Sequence, residues 1–274
     1  MDIQKIKKLY ESGYSLAELG RLYNYDSVTI KRHLLKENVI IRTRAQQNVI
    51  SNSKRAKKVN NEYFSNIDTV NKAWILGFMM ADGNVSKSKN EIRFNLSSVD
   101  REILEKIKLE IEIEREISDS ITGNGFSFSY LSWTSQQQKK DLAKFGIVPN
   151  KTYTKMHLPK LNDNFVLAFI LGYFDGDGNF SVKDNYCRFR ICGHDNTILQ
   201  EIATFLFKKY KVSYSLNKDK KDLWELSIST KYAIKILNDM YNLNSIHLKR
   251  KYDKFLEYKN TKSPRLPKTE EKVR

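Results

Sequence analysis

The sequence predicts an α+β protein: two pseudo-symmetric halves of αββαββα type forming a saddle, with a small all-α domain in front. Three observations predict it. One segment recurs at an offset of 95 residues, each copy begins with an apolar helix ending in Asp-Gly, and a capped helical stretch precedes both.

A chain of 274 residues with 40% hydrophobic and 12% aromatic content can bury a substantial core. No apolar run approaches the ~20 residues of a membrane span, and the N-terminus lacks the apolar stretch of a signal peptide. Membrane function is therefore excluded from the expectation, as is a disulfide framework. The two cysteines, Cys187 and Cys192, lie in one alternating segment and indicate a reducing compartment. The net charge of +16 fits a polyanion partner. It is concentrated at the ends: residues 1–60 hold 13 Lys/Arg against 5 Asp/Glu, and residues 245–274 hold 10 against 4. That pattern suggests backbone-gripping appendages around a core with acidic chemistry of its own.

The front domain is expected over residues 1–44. Ile6, Leu9 and Tyr10 give a first helix its apolar face, and Gly13 ends it. Ser15 and Glu18 have capping-box spacing, and Asn24 suits a left-handed turn. Gly20 is small where a second helix must pass close by. Asp26 caps a further helix whose inward residues are Ile30 and Leu34. This arrangement resembles a helix-turn-helix, with Ser27, Val28, Lys31 and Arg32 facing a major groove. Arg42 and Arg44 would serve as an arm on phosphates or in the minor groove. Residues 45–62 lose apolar periodicity, gather Asn, Ser and Lys, and read as a basic linker.

The first half is expected over 63–160, the second over 161–260 and a basic tail over 261–274. WILGFMMADGNVS at 74–86 matches FILGYFDGDGNFS at 169–181, and the offset persists through Phe94 and Phe189, Asp100 and Asp195, and Leu131 and Leu226. In the strand of the first copy Phe94 and Leu96 should point inward, leaving Arg93 and Asn95 outward. In the second, Phe189 and Ile191 point in and Arg188 and Arg190 out. Gly77 with Ala81, and Gly172 with Gly176, place small residues at i, i+4, where two helices can approach backbone to backbone. Asp82 and Asp177 then end those helices, where the dipole disfavours a carboxylate. Two such acids side by side make sense if hard divalent cations neutralise them.

These helices resemble the LAGLIDADG motif of homing endonucleases, with Ile75–Gly83 and Ile170–Gly178 on the nine-residue pattern. The resemblance implies that Asp82 and Asp177 bind metal, Mg²⁺ with Mn²⁺ as a substitute, aided by the carbonyls of Ala81 and Gly176. FGIVPNKTYT at 145–154 and IHLKRKYDKF at 246–255 look like the basic segments closing each half in the intein-type branch. They suggest Lys151 and Lys251 as catalytic lysines, with Lys249 or Arg250 as alternatives to the second. The implied activity is a site-specific, staggered double-strand break in DNA by phosphodiester hydrolysis, each half cutting one strand. A monomer would bind a long duplex target, with Arg93, Asn95, Arg188 and Arg190 reading bases. A non-cleaving transcription regulator and an RNA maturase are the alternatives on this scaffold.

Rival readings are weaker. Asp175, Asp177 and Asn179 fall on EF-hand positions, but Phe180 and Tyr186 stand where that loop needs Gly and Glu. The four histidines fit no zinc spacing, and His194 beside Asp195 reads as structural, with an approach to DNA as the alternative. Trp74, Trp133 and Trp224 read as core. The chain starts with Met1 and has no terminal His-Asn, which points to a freestanding or intron-encoded protein. It is expected in the cytoplasm of a bacterial or phage-infected host, with an organelle as the alternative.

Overall fold

The computed structural model describes residues 2–55, 58–151, 154–183, 186–218 and 223–262. The chain divides into two compact units, residues 1–57 and 58–274.

The front unit holds α1 (Ile3–Glu11), α2 (Leu16–Tyr23), α3 (Ser27–Lys36) and α4 (Arg44–Arg55). Ile6 and Tyr10 of α1 meet Leu19, Ile30, Leu34 and Val39 in one apolar cluster. Gly13, at φ 100°, turns the chain out of α1. Ser15 and Glu18 form a reciprocal capping box, and Asn24 adopts the left-handed conformation at φ 58°. The Asp26 carboxylate accepts from the Val28 and Thr29 amides and starts α3. At Gly20 the close neighbour is the turn itself: a Cβ there would lie 2.6 Å from the Tyr25 carbonyl oxygen.

Two expectations need correction here. Residues 45–55, expected to open a linker, belong to α4. Its start has a local cause: the Thr43 amide donates to the Gln46 side chain and the Gln46 amide donates to the Thr43 hydroxyl. That is a capping box. Its signal, Thr-x-x-Gln, was present but hidden by the loss of apolar periodicity. The second correction concerns Arg42, expected as a nucleic-acid arm. Its guanidinium donates to the carbonyls of Tyr10 and Tyr14 at 2.7 Å each. It also stacks 3.9 Å over the Tyr10 ring. These contacts hold it against its own unit. Arg42→Met should therefore lower the stability of the front unit by about 2 kcal/mol, since charge-assisted bonds to half-buried carbonyls disappear. Thermal unfolding followed by circular dichroism checks this, and an unchanged early transition would return Arg42 to the role of free arm.

In the large unit the elements run α5 (Val70–Ala81), β1 (Gly83–Val85), β2 (Glu91–Ser97), α6 (Arg101–Glu110), β3 (Ser118–Ile121), β4 (Ser127–Thr134) and α7 (Gln136–Lys144). The second half repeats them as α8 (Asp163–Asp177), β5 (Gly178–Lys183), β6 (Tyr186–Gly193), α9 (Asn196–Tyr210), β7 (Ser215–Lys218), β8 (Trp224–Ser229) and α10 (Thr230–Tyr241). A further helix, α11 (Lys249–Lys262), follows. The antiparallel sheets have the same order, β1-β2-β4-β3 and β5-β6-β8-β7. Phe94 and Leu96, like Phe189 and Ile191, point into a single core that draws residues from both halves. Arg93, Asn95 and Arg188 are exposed, and Arg190 is half-buried.

The repeat is less regular than its sequence offset. Leu131 pairs with Phe94, yet its repeat partner Leu226 pairs with Ile191. Strand β6 has slipped two residues relative to β2. A two-residue slip leaves every side chain on its original face, so an alternating pattern does not reveal it. The offset of 95 is restored at Asp100 and Asp195, which precede α6 and α9.

Cys187 and Cys192 both lie on β6 as thiols, with no disulfide between them. Among the described residues no helix is long and apolar enough to cross a membrane. Of the expected tail, residues 261 and 262 complete α11 and the rest lies outside the described residues.

Candidate active site

Helices α5 and α8 bring the repeated motif to one place. Each begins at a polar cap: the Thr69 side chain accepts from the Lys72 amide and that of Asn162 from the Phe165 amide. The apolar runs that follow are buried from Ala73 to Met80 and from Val166 to Asp175. Burial on all sides requires each helix to pack closely against its twin, and the glycines permit it. A Cβ on Gly77 would lie 2.0 Å from the Phe169 carbonyl oxygen, and one on Gly172 would lie 2.0 Å from that of Trp74. Positions 74 and 169 are repeat partners, so the contacts are reciprocal. Further along, a Cβ on Gly176 would meet the Ala81 methyl at 2.3 Å and the Asp82 Oδ2 at 3.2 Å. The carboxylate of the first half thus faces the motif backbone of the second.

Asp82 is the C-cap of α5 and Asp177 the last residue of α8. Burial is the largest influence on both. It raises the Asp82 carboxyl above the ordinary range against the pull of Lys251 and Lys151. Asp177 is pushed up to about 6, by burial first and then by the charge of Asp82. Each acid is thereby short of positive charge.

The two lysines occupy related positions. Lys151 Nζ donates to the carbonyls of Ala81 at 3.0 Å and Gly83 at 2.6 Å. Lys251 Nζ donates to the carbonyls of Phe174, Asp175 and Gly178 at 2.6, 2.7 and 2.5 Å. Gly83 and Gly178 are repeat partners, so Lys251 is the counterpart of Lys151. The alternatives are otherwise engaged: Lys249 pairs with Asp253 at 2.5 Å, and Arg250 with Asp100 at 2.9 Å. Burial pushes both lysine ammonium groups below their ordinary values. Together with the carbonyls of Ala81 and Gly176, the acids form a set of hard oxygen donors. Among the described residues no three His, Cys, Asp or Glu cluster as a metal site. The set therefore fits a cation shared between carboxylates and backbone oxygens.

Sequence reasoning missed Asp175. This fully buried carboxylate accepts from the Trp74 indole N–H and the Leu248 amide, both at 3.0 Å. Burial raises its carboxyl. Trp74 belongs to the opposite half, and Leu248 precedes the segment that delivers Lys251. The available signal was an acid inside an apolar helix, which needs a buried donor.

The remaining predicted residues lie away from the helix ends. Ser27, Val28, Lys31 and Arg32 are exposed on α3, and Arg44 is exposed at the start of α4. Arg93 pairs with Glu91 at 2.8 Å and stacks over Tyr130, while Asn95 shares its exposed face of β2. Arg188 and Arg190 line a groove of about 590 Å³ with Lys183 and Ser181.

A family model described as a LAGLIDADG-like domain matches residues 69–146 and again 164–240. The chain is 27% identical over 188 residues to the DNA-directed RNA polymerase subunit Rpo1C of Methanocaldococcus jannaschii, a match spanning 67% of this chain and 21% of that subunit. Among solved structures it is similar to I-DmoI in complex with DNA and calcium, at 16% identity and a TM-score of 0.49, over 73% of this chain and 99% of that one. The meganuclease I-AabMI bound to uncleaved DNA matches at 14% identity and 0.47, covering 69% and 88%. The N-terminal LAGLIDADG domain of DUF199/WhiA matches at 15% and 0.43, covering 66% and 89%.

Proposed function

Since the chain belongs to the LAGLIDADG-like family, with the domain present twice, we propose that it is a homing-type DNA endonuclease. It hydrolyses one phosphodiester in each strand of a specific duplex, in a metal-dependent way, and leaves staggered ends. One observation carries the reading: two buried carboxylates, Asp82 and Asp177, end closely crossed helices and are each raised by burial with lysines beside them. A non-cleaving regulator would have no use for that penalty.

Asp82 and Asp177, with the carbonyls of Ala81 and Gly176, would hold Mg²⁺, or Mn²⁺ in its place. Bound there, the cation supplies charge neutralisation at the scissile phosphate and a more acidic water. The chain's own groups do the rest. Lys151 and Lys251 fix the carbonyls at the helix ends and keep positive charge beside the phosphate, where negative charge grows during attack. Burial of the lysines keeps that charge in a low-dielectric setting, where it acts more strongly. Arg188, Arg190, Arg93 and Asn95 offer donors to base edges.

The front unit adds a second grip. Its α2–turn–α3 geometry supports a helix-turn-helix reading, with Ser27, Val28, Lys31 and Arg32 on the groove side and Arg44 beside them. Replacing Lys31 and Arg32 with Ala should weaken binding to all duplexes alike. It should also reduce the slope of log affinity against log salt by about one for each phosphate no longer gripped. An unchanged slope would take α3 off the DNA.

The enzyme reading is tested with a randomised duplex pool. Cleaved molecules are recovered with Mg²⁺ present, and the enriched target is assayed again in EDTA. A double-strand break that appears only with the cation is expected. Tight binding without cutting at any cation concentration would overturn the proposal in favour of a regulator.

A further inference from the structure

The two carboxylate sites are not chemically equal. We propose that His194 is a catalytic residue at the Asp177 site alone, accepting the proton of the attacking water, so that the two strands are cut by unequal chemistry. This rests on the endonuclease reading above.

A cavity of about 310 Å³ opens beside Asp177, lined by Ala81, Lys151, Tyr173, Cys192 and His194 among others. His194 directly follows β6 and is exposed. Its ring makes no hydrogen bond among the described residues, which leaves a nitrogen available to a molecule in the cavity. The neighbouring Asp195 is not available in the same way: its carboxylate accepts from the Met156 amide and from the amide and hydroxyl of Thr197. A second polar group lies at the wall. The Tyr173 hydroxyl is buried and without a partner among the described residues. The cavity thus presents a ring nitrogen and an unused hydroxyl beside a predicted metal-binding carboxylate and a lysine. This is the set required to hold a water against a phosphate.

The Asp82 site lacks this equipment. Counted back from the helix-capping Asp100, the position of His194 is occupied by Val99; by strand register it is Ser97. Neither side chain accepts a proton near neutral pH. Tyr173 is matched by Phe78, which has no hydroxyl. Asp100, beside Asp82, is bound by Arg250 at 2.9 Å and 3.1 Å.

The step balances without another reactant. An O–H bond of water breaks, the proton goes to the free ring nitrogen of His194, and the oxygen forms a bond to phosphorus. The bond from phosphorus to the leaving sugar oxygen breaks, and that oxygen takes a proton from solvent. The imidazolium then returns its proton to solvent. Histidine is suited to both transfers because its charge changes between about pH 5 and 8.

The test is strand-resolved. A target duplex recovered by selection carries a different fluorophore on each strand, and single-turnover rates are measured with saturating protein. His194→Ala should slow one strand by about 100-fold and leave the other within about twofold. Nicked duplex should accumulate, and added imidazole should partly restore the slow strand. His194→Gln, which keeps a hydrogen-bonding group without the basic ring, should stay slow. The dissociation constant, measured in parallel without divalent cation, should not change. Equal slowing of both strands, or a loss of affinity with unchanged saturated rates, would overturn the inference and leave His194 a backbone contact. If the wild type cuts neither strand, the endonuclease reading itself falls and takes this inference with it. If the wild type cuts and His194→Ala cuts both strands at wild-type rates, only this inference falls.

Discussion

Asp177→Asn should abolish cleavage of the selected target and, without metal, make the protein more stable than the wild type. The loss of activity follows from removing a cation ligand, worth several kcal/mol of transition-state stabilisation, or roughly 10³-fold in rate. The gain follows from the same carboxyl. Its folded-state value is pushed up to about 6 by burial and by Asp82. Against an unfolded value near 3.9, a shift of about two units corresponds to about 3 kcal/mol, an upper figure because the amide brings desolvation of its own. The sign follows from linkage. A carboxyl raised on folding contributes stability that is fully present below about pH 4 and lost as pH climbs through about 6. In EDTA the advantage of the variant should therefore be greatest above pH 7 and vanish below pH 4. Adding Mg²⁺ should raise the melting temperature of the wild type and change that of the variant less. Asp82→Asn should behave alike in direction. A variant that melts with or below the wild type in EDTA at pH 7.5 would mean that the carboxylate finds its compensation inside the protein.

Gly172→Val or Gly77→Val should prevent stable folding of the large unit. The obstacle at each is a backbone carbonyl, 2.0 Å from the position a Cβ would take. A flexible side chain could turn away, but a helix backbone cannot, so the two helices must separate. Because both acids sit at the ends of these helices, separation breaks the core and the site together. A loss of about 4 kcal/mol or more is expected, a large part of the whole stability of a domain. Gly123→Ala is the internal comparison, since nothing lies within 4 Å of its added methyl. Urea unfolding of the three variants measures the difference. A Gly172→Val protein with a wild-type midpoint would show that the crossing is not as close as described.

Local signals made much of this molecule legible in its sequence. Ser15 with Glu18, Asn24 and Asp26 specify their own turns through bonds within three residues, and period-two alternation assigned the faces of β2 and β6. Glycine recurring with an acid at helical spacing pointed to the crossing of α5 and α8. Features that depend on distant chain segments were less accessible. Arg42 reaches Tyr10 across 32 residues, and Trp74 reaches Asp175 across 101, separations at which no spacing rule operates. Lys251 could not be separated from Lys249 and Arg250 until the partners of all three were placed. The strand slip in β6 was invisible because the pattern used to read it repeats every two residues. His194 looked structural for a similar reason, since the cavity beside it is assembled from both halves.

The bond between Trp74 and Asp175 also governs which surfaces can associate. Two first halves from separate chains would place Met80 against the Trp74 indole, and its N–H would lose its acceptor. Two second halves would set Asp175 against Phe169, leaving an ionisable group in apolar surroundings without a donor. Either mispairing forfeits a buried hydrogen bond and strands a polar group, at a cost of several kcal/mol. Only the unlike pairing satisfies both partners. A duplicated fold, whose copies could otherwise exchange between molecules during synthesis, carries in this one contact a discriminator that favours closure within its own chain.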